Sequence, residues 1–170
     1  IQTGAIEGEI VEAWQKRLEF EKRGKEMRAK AEGGDGDAMY LLGVWYENGS
    51  NGLAQDMVQA RASYERSAAV RCPRGLAAYG EYLLCGVGGP QDTTLGLVNA
   101  TEAAHLGSNL GAFRLGEAFG KGLGVPKDPA RARYWLKKAT DSECEWEFDH
   151  IDDASKATGA KFLEELDAIE

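Results

Sequence analysis

Side chains able to do chemistry are few in this chain. The two histidines, His105 and His150, stand 45 residues apart. The cysteines Cys72, Cys85 and Cys144 follow no disulfide or metal-ligand spacing, and an odd, low count reads as free thiols. One group could take a divalent cation: His150 beside Asp149, Asp152 and Asp153. A metal-dependent or hydrolytic enzyme would have to rest on that acidic segment. It lacks the regularly spaced histidines or cysteines that complete a metal site. Gly120, Gly122 and Gly124 around Lys121 look superficially like a phosphate-cradling loop. Such a loop needs a strand before it and Ser or Thr after the lysine, and here Gly122 follows Lys121. His105 ends an alanine-rich helical stretch, where capping or packing is the expected role. The residues therefore predict no catalytic group, no metal and no cofactor, and point to binding.

Bulk properties narrow the partners. The chain has 170 residues, enough for one domain with a core, and no apolar run of membrane-spanning length. Its net charge of -8 is uneven. Residues 141–170 hold 11 acidic and 2 basic side chains, whereas the rest holds 17 acidic and 18 basic. An acidic tail on a nearly neutral body argues against a nucleic-acid binder. A soluble intracellular compartment is the expectation, and a targeting peptide cleaved before Ile1 is compatible with it.

What organises the chain is repetition. Asp56, Asp92 and Asp128 recur 36 residues apart, each after a glycine cluster and before small residues at helical spacing. A period near 36 is that of a helical solenoid. Ahead of each aspartate, Leu42-Gly43, Tyr79-Gly80 and Leu115-Gly116 lie in a first helix, which Gly49, Gly86 and Gly122 should end. Glycine inside a helix costs ~1 kcal/mol relative to alanine. Its recurrence at one register predicts a second helix packed too close for a methyl group. The aspartate is the expected N-cap of that second helix, with Pro129 following Asp128 as the preferred first helical residue. Ala60, Gly96 and Ala132 continue its inner face.

The phrase LGEAFGKGLGVPKDPARARYWLKKA, with its looser copies upstream, resembles the Sel-1-like repeat, a relative of the tetratricopeptide repeat. The first copy carries one extra loop residue in GSNGLAQD, and the second has Asn99 where the pattern has tryptophan. The resemblance implies an all-α fold, an α/α solenoid of three helical hairpins at about 34–70, 71–107 and 108–140. It also implies a non-enzymatic scaffold or adaptor, a small subunit or assembly factor of a larger complex, that binds other protein chains or a peptide segment, with the first helices lining a concave face.

The flanks complete the reading. Residues 1–33 are expected to hold one long helix, a partial repeat or cap, and residues 141–170 an acidic loop followed by a capping helix in GAKFLEELDAIE. Trp14 either covers the first repeat or docks into a partner. Trp146 and Phe148 either fold back or form an epitope. On the concave face, side chains left over from the core recur in rows: Leu41, Ala78 and Arg114; Val44, Glu81 and Glu117; Trp45, Tyr82 and Ala118; Asn48, Cys85 and Lys121. Trp45 and Tyr82 either seal neighbouring repeats or stand exposed. In the second case Leu41, Trp45, Glu81, Tyr82, Arg114, Glu117 and Lys121 would make a peptide groove, because aromatic and arginine side chains dominate binding hot spots.

Overall fold

A computed structural model describes residues 2–141 and 153–167. Among the described residues there are eight α-helices and no strand: α1 (Gln2–Glu32), α2 (Gly36–Asn48), α3 (Met57–Ala69), α4 (Pro73–Cys85), α5 (Thr93–His105), α6 (Asn109–Lys121), α7 (Pro129–Asp141) and α8 (Asp153–Asp167). The pairs α2–α3, α4–α5 and α6–α7 are the three hairpins, each built of two 13-residue helices. The expected solenoid is thus observed. None of the described helices is long and apolar enough to cross a membrane.

Each hairpin repeats the same local chemistry. Gly49, Gly86 and Gly122 are left-handed and close the first helices, with φ of 60°, 68° and 75°. The carboxylates of Asp56, Asp92 and Asp128 then accept from backbone N–H groups at Gln59, Leu95 and Arg131, capping α3, α5 and α7. A recurrent backbone bond ties each turn to its first helix: Asp56 N to Tyr46 O, Asp92 N to Leu83 O and Asp128 N to Phe119 O, at 2.8, 3.0 and 2.9 Å. The extra residue of the first loop is absorbed at Asn51, which adopts a positive φ of 54°.

The mid-helix glycines have the predicted cause. A Cβ on Gly43 would meet the ring of Tyr64. One on Gly80 would lie 3.0 Å from Gly96 O and 3.1 Å from Ala100 N, and one on Gly116 would lie 2.6 Å from Leu136 Cγ. Tyr64, Ala100 and Leu136 occupy one register of the second helices, and all three are essentially inaccessible. Glycine on one helix therefore makes room for the contact residue on the other, whatever that residue's size.

The hairpins stack so that α2 touches α4 and α4 touches α6. Helices that approach across successive hairpins lie inside the bend, which puts α2, α4 and α6 on the inner face. Arg61 links adjacent units by donating from Nη1 to Val87 O (3.1 Å) and from Nη2 to Pro90 O (2.9 Å). The C-terminal half of α1 packs on α2, burying Ala31 with Met39, Leu42 and Trp45. At the other end α8 packs on α7, and Phe162 and Leu163 join the cluster of Ala112, Phe113, Leu115 and Leu136. The last helix starts at Asp153, six residues before the GAKFLEELDAIE stretch.

Candidate functional site

On the inner face of α6, Arg114, Glu117 and Lys121 are spaced by three and four, so one helical stripe carries all three. Glu81 on α4 sits one repeat earlier at the register of Glu117 and reaches the same stripe. The Arg114 Nη2 donates to Glu81 Oε1, and its Nη1 donates to Glu117 Oε2 at 2.7 Å. Lys121 Nζ donates to the second oxygen of Glu117 at 2.6 Å. The guanidinium also lies 5.5 Å from the centre of the Phe113 ring. Four of the predicted residues thus form one ion-paired network across two repeats.

Its electrostatics follow from burial and partner count. Burial pushes the Glu81 carboxyl above the ordinary range. The Arg114 charge opposes that shift, and the nearby charges of Glu47 and Glu117 reinforce it. Burial acts on Glu117 in the same sense, but hydrogen bonds from Lys121 and Arg114 outweigh it and hold this carboxyl low. Upstream, Tyr64 OH donates to Glu47 Oε2 at 2.5 Å. Burial, with that carboxylate beside it, pushes the Tyr64 phenol far up, so it remains a donor.

The network opens into a cavity of about 370 Å³ between α6, α7 and α8. Phe113, Leu136 and Phe162 supply apolar lining, and Glu117, Lys121 and Glu165 supply charge. Lys121 Nζ sits 5.9 Å from the centre of the Phe162 ring. The cavity thus combines an apolar floor with charged groups of both signs around it. Neither Phe113 nor Phe162 is marked as a site residue by the sequence. Only the docking of α8 turns their edges into a cavity wall.

Two expected groove residues belong elsewhere. Trp45 and Tyr82 are buried, with 8% and 5% of their surfaces exposed. Trp45 seals α1 against α2 beside Met27, Ala31 and Leu53. Tyr82 packs edge-on to Tyr64 at 5.0 Å between ring centres, and its hydroxyl points at Met57 Sδ, 3.6 Å away. Their helical position turns them between layers, so they are correctly read as seals and not as exposed anchors. Leu41 is half-buried and makes no part of the network. Trp14 stands 60% exposed on α1 and does not cover the first repeat. Trp146, Phe148 and the His150 cluster lie outside the described residues. His105 Nδ1 donates to Thr101 O (2.7 Å), and the ring packs against Trp135, 5.8 Å between ring centres, the packing role expected for it.

A stack of α-hairpins presenting a paired-charge inner face defines an α/α solenoid of the interaction-module class. The Sel1 repeat pattern matches residues 36–69, 73–108 and 110–143, more than half of the chain, and the chain belongs to the Sel1 repeat family. Sel1 repeat proteins generally mediate protein–protein interactions, and their fold is typically a non-enzymatic scaffold. Among solved structures, the chain is similar to a Sel1 repeat protein from Oxalobacter formigenes, with 28% identity and a TM-score of 0.65 over 85% of this chain and 98% of that one. It is also similar to c5321, a protective antigen of uropathogenic Escherichia coli strains with an SLR fold, with 27% identity and a TM-score of 0.64 over 82% of this chain. It spans about a third of that second protein, 32%. No curated protein matches the chain.

Proposed function

We propose that this protein is a non-enzymatic adaptor, a small subunit or assembly factor, that holds a segment of a partner protein on its inner face at the C-terminal end. The observation carrying this reading is the cavity where Glu117 and Lys121 meet Phe113, Leu136 and Phe162. An apolar side chain of the partner would enter between the two rings. The paired charges above would orient the flanking backbone and side chains at little ordering cost, because Arg114 and Lys121 already hold Glu117 in place. Lys121 is exposed, and Glu165 on α8 lines the same cavity. The variant Lys121→Glu with Glu165→Lys should therefore fold normally and lose the partner. The test is quantitative capture from the native source with wild-type and variant baits side by side. A stoichiometric protein retained by the wild type and lost by the folded variant supports the proposal. An identical set of captured proteins overturns it.

A further inference from the structure

The last helix docks unlike those before it. Where α4 meets α3, a Cβ on Gly75 would fall on Ser67. Where α6 meets α5, one on Gly111 would lie 2.8 Å from both Ala103 Cβ and Ala104 N. Those crossings leave no room for a methyl group. On α8 the glycine facing the body is Gly159, and a Cβ there would lie 3.2 Å from the Phe113 ring and 3.9 Å from Leu136 Cδ2, both side-chain atoms. The cavity of about 370 Å³ is what this looser seat leaves beneath the helix. Burial differs in the same sense. Each helix from α2 to α6 buries at least five residues. Within residues 157–165 of α8, Gly159 is buried, Phe162 and Leu163 are half-buried and the other six are exposed. An element with so little buried apolar surface opens at a lower free energy than the core on which it sits.

One contact of α8 is nevertheless close. The Phe162 ring lies against α6 at Gly120, where an added Cβ would fall on ring atoms Cε1 and Cζ. Lys121 Nζ stands 5.9 Å from the centre of the same ring. In the first two hairpins Glu47 and Leu84 hold the register of Gly120, so the socket is cut into the third hairpin alone. Glycine costs α6 some helix stability there, and the ring seated on it is the reason that cost is carried. From this we infer that α8 is a lid over the adaptor cavity, latched by Phe162 in its socket on Gly120, and that it opens while the three hairpins stay folded, admitting the partner's segment. Closed, it places Phe162 and Glu165 along the cavity. Open, it uncovers Phe113 and Leu136. The inference rests on the adaptor reading for what enters, but the motion itself is a property of the free chain.

Amide hydrogen exchange on the full chain tests this. In the wild type, α8 should exchange about a hundredfold or more faster than α4 and α6, yet about tenfold or more slower than unfolded chain. The informative variant is Gly120→Ala. Alanine suits α6, and the next atom after the ring, Ala132 Cβ, is an ordinary 3.5 Å away. The half-buried ring has to swing out towards solvent, and the latch is lost. Protection of α8 should fall about tenfold or more while α6 and α7 keep theirs or gain. Phe162→Ala should do the same, and adding Gly120→Ala to it should change α8 no further. Anilinonaphthalene sulfonate, a dye that brightens on exposed apolar surface, should bind Gly120→Ala several times more strongly than wild type, by about threefold or more, as Phe113 and Leu136 are uncovered. An α8 as slow to exchange as α6 overturns the inference, and so does one with no protection at all. Unchanged α8 protection in Gly120→Ala, or an effect that persists without the Phe162 ring, overturns the latch. Dye binding that stays at the wild-type level while α8 opens overturns the gating of the cavity. Exchange and dye binding need no partner, so the lid can fail while the adaptor reading stands, and the reverse.

Discussion

Replacing one glycine by alanine should have opposite effects at two places in this chain. Alanine in a helix interior is worth up to about 1 kcal/mol over glycine from backbone entropy alone. At Gly24, in the middle of α1, an added Cβ meets nothing within 4 Å, so Gly24→Ala should collect most of that gain. At Gly43 the same Cβ falls on the Tyr64 ring. The ring cannot swing aside, because Tyr40 and Tyr82 pack on it at 5.7 and 5.0 Å and its hydroxyl is held by Glu47. Overpacking a core costs about 1–3 kcal/mol, and the fixed ring puts this site near the upper end. Subtracting the helix gain leaves Gly43→Ala a net loss of about 2 kcal/mol. For a chain of this size that is a fall of about 4–8 °C in Tm, against a rise of about 2–4 °C for Gly24→Ala. Thermal melts and urea titrations followed by circular dichroism measure both. Removing the obstacle supplies the control: Tyr64→Ala, which deletes the ring that the added Cβ meets, should make Gly43→Ala much less costly than it is in the wild-type background. If Gly43→Ala matches or exceeds wild-type stability, the close-packing account of the repeated glycine is wrong. If Gly24→Ala is equally harmful, the effect is not packing at all.

Two further outcomes follow from the core and the ion-paired network. Trp45→Ala should cost about 3–5 kcal/mol and loosen α1 from the first hairpin, read by denaturation and by amide exchange in residues 27–53. Full stability with lost partner binding would return Trp45 to the surface role. Glu81 binds its proton more tightly when folded, so its contribution is full below the unfolded carboxyl pKa of about 4.3 and is lost as pH rises through the folded value. Glu117 works in the opposite sense: its stabilisation is present above the unfolded pKa and is lost as pH falls through its depressed folded value. The variant Glu81→Gln, neutral at every pH, should therefore be at least as stable as wild type near neutrality, and that advantage should fade in melts taken at successively lower pH. A clear loss at neutral pH would show that the pairing with Arg114 outweighs the cost of burial.

The repeat was legible because its signals are local. A left-handed helix end demands glycine, a free N–H pair at a helix start invites aspartate, and a close crossing forbids a Cβ. Each leaves its mark within a few residues of where it acts, as at Gly122, Asp128 and Gly116. Three of the four residues of the inner-face network were legible together for the same reason, since Arg114, Glu117 and Lys121 share a stripe on one helix, and Glu81 follows from its repeat register. The fate of Trp45 and Tyr82 was not. A row at the right period can face the groove or the next layer, and the difference is a rotation of a few tens of degrees about the helix axis. That rotation is set by how α1, α3 and the neighbouring hairpins press on the row from either side.

By itself, then, the amino-acid order determined the hairpins, their caps, their three-fold recurrence and the uneven charge. These depend on backbone geometry and composition, which any stretch of chain carries with it. Tertiary structure alone decided which aromatics are seals and which are exposed, and that Glu81 and Arg114 meet across 33 residues. It also decided that α8 closes a cavity over Phe113 and that α1 runs on past the body with Trp14 uncovered. Such facts depend on which surfaces compete for burial when the whole stack assembles, and no single segment holds that information.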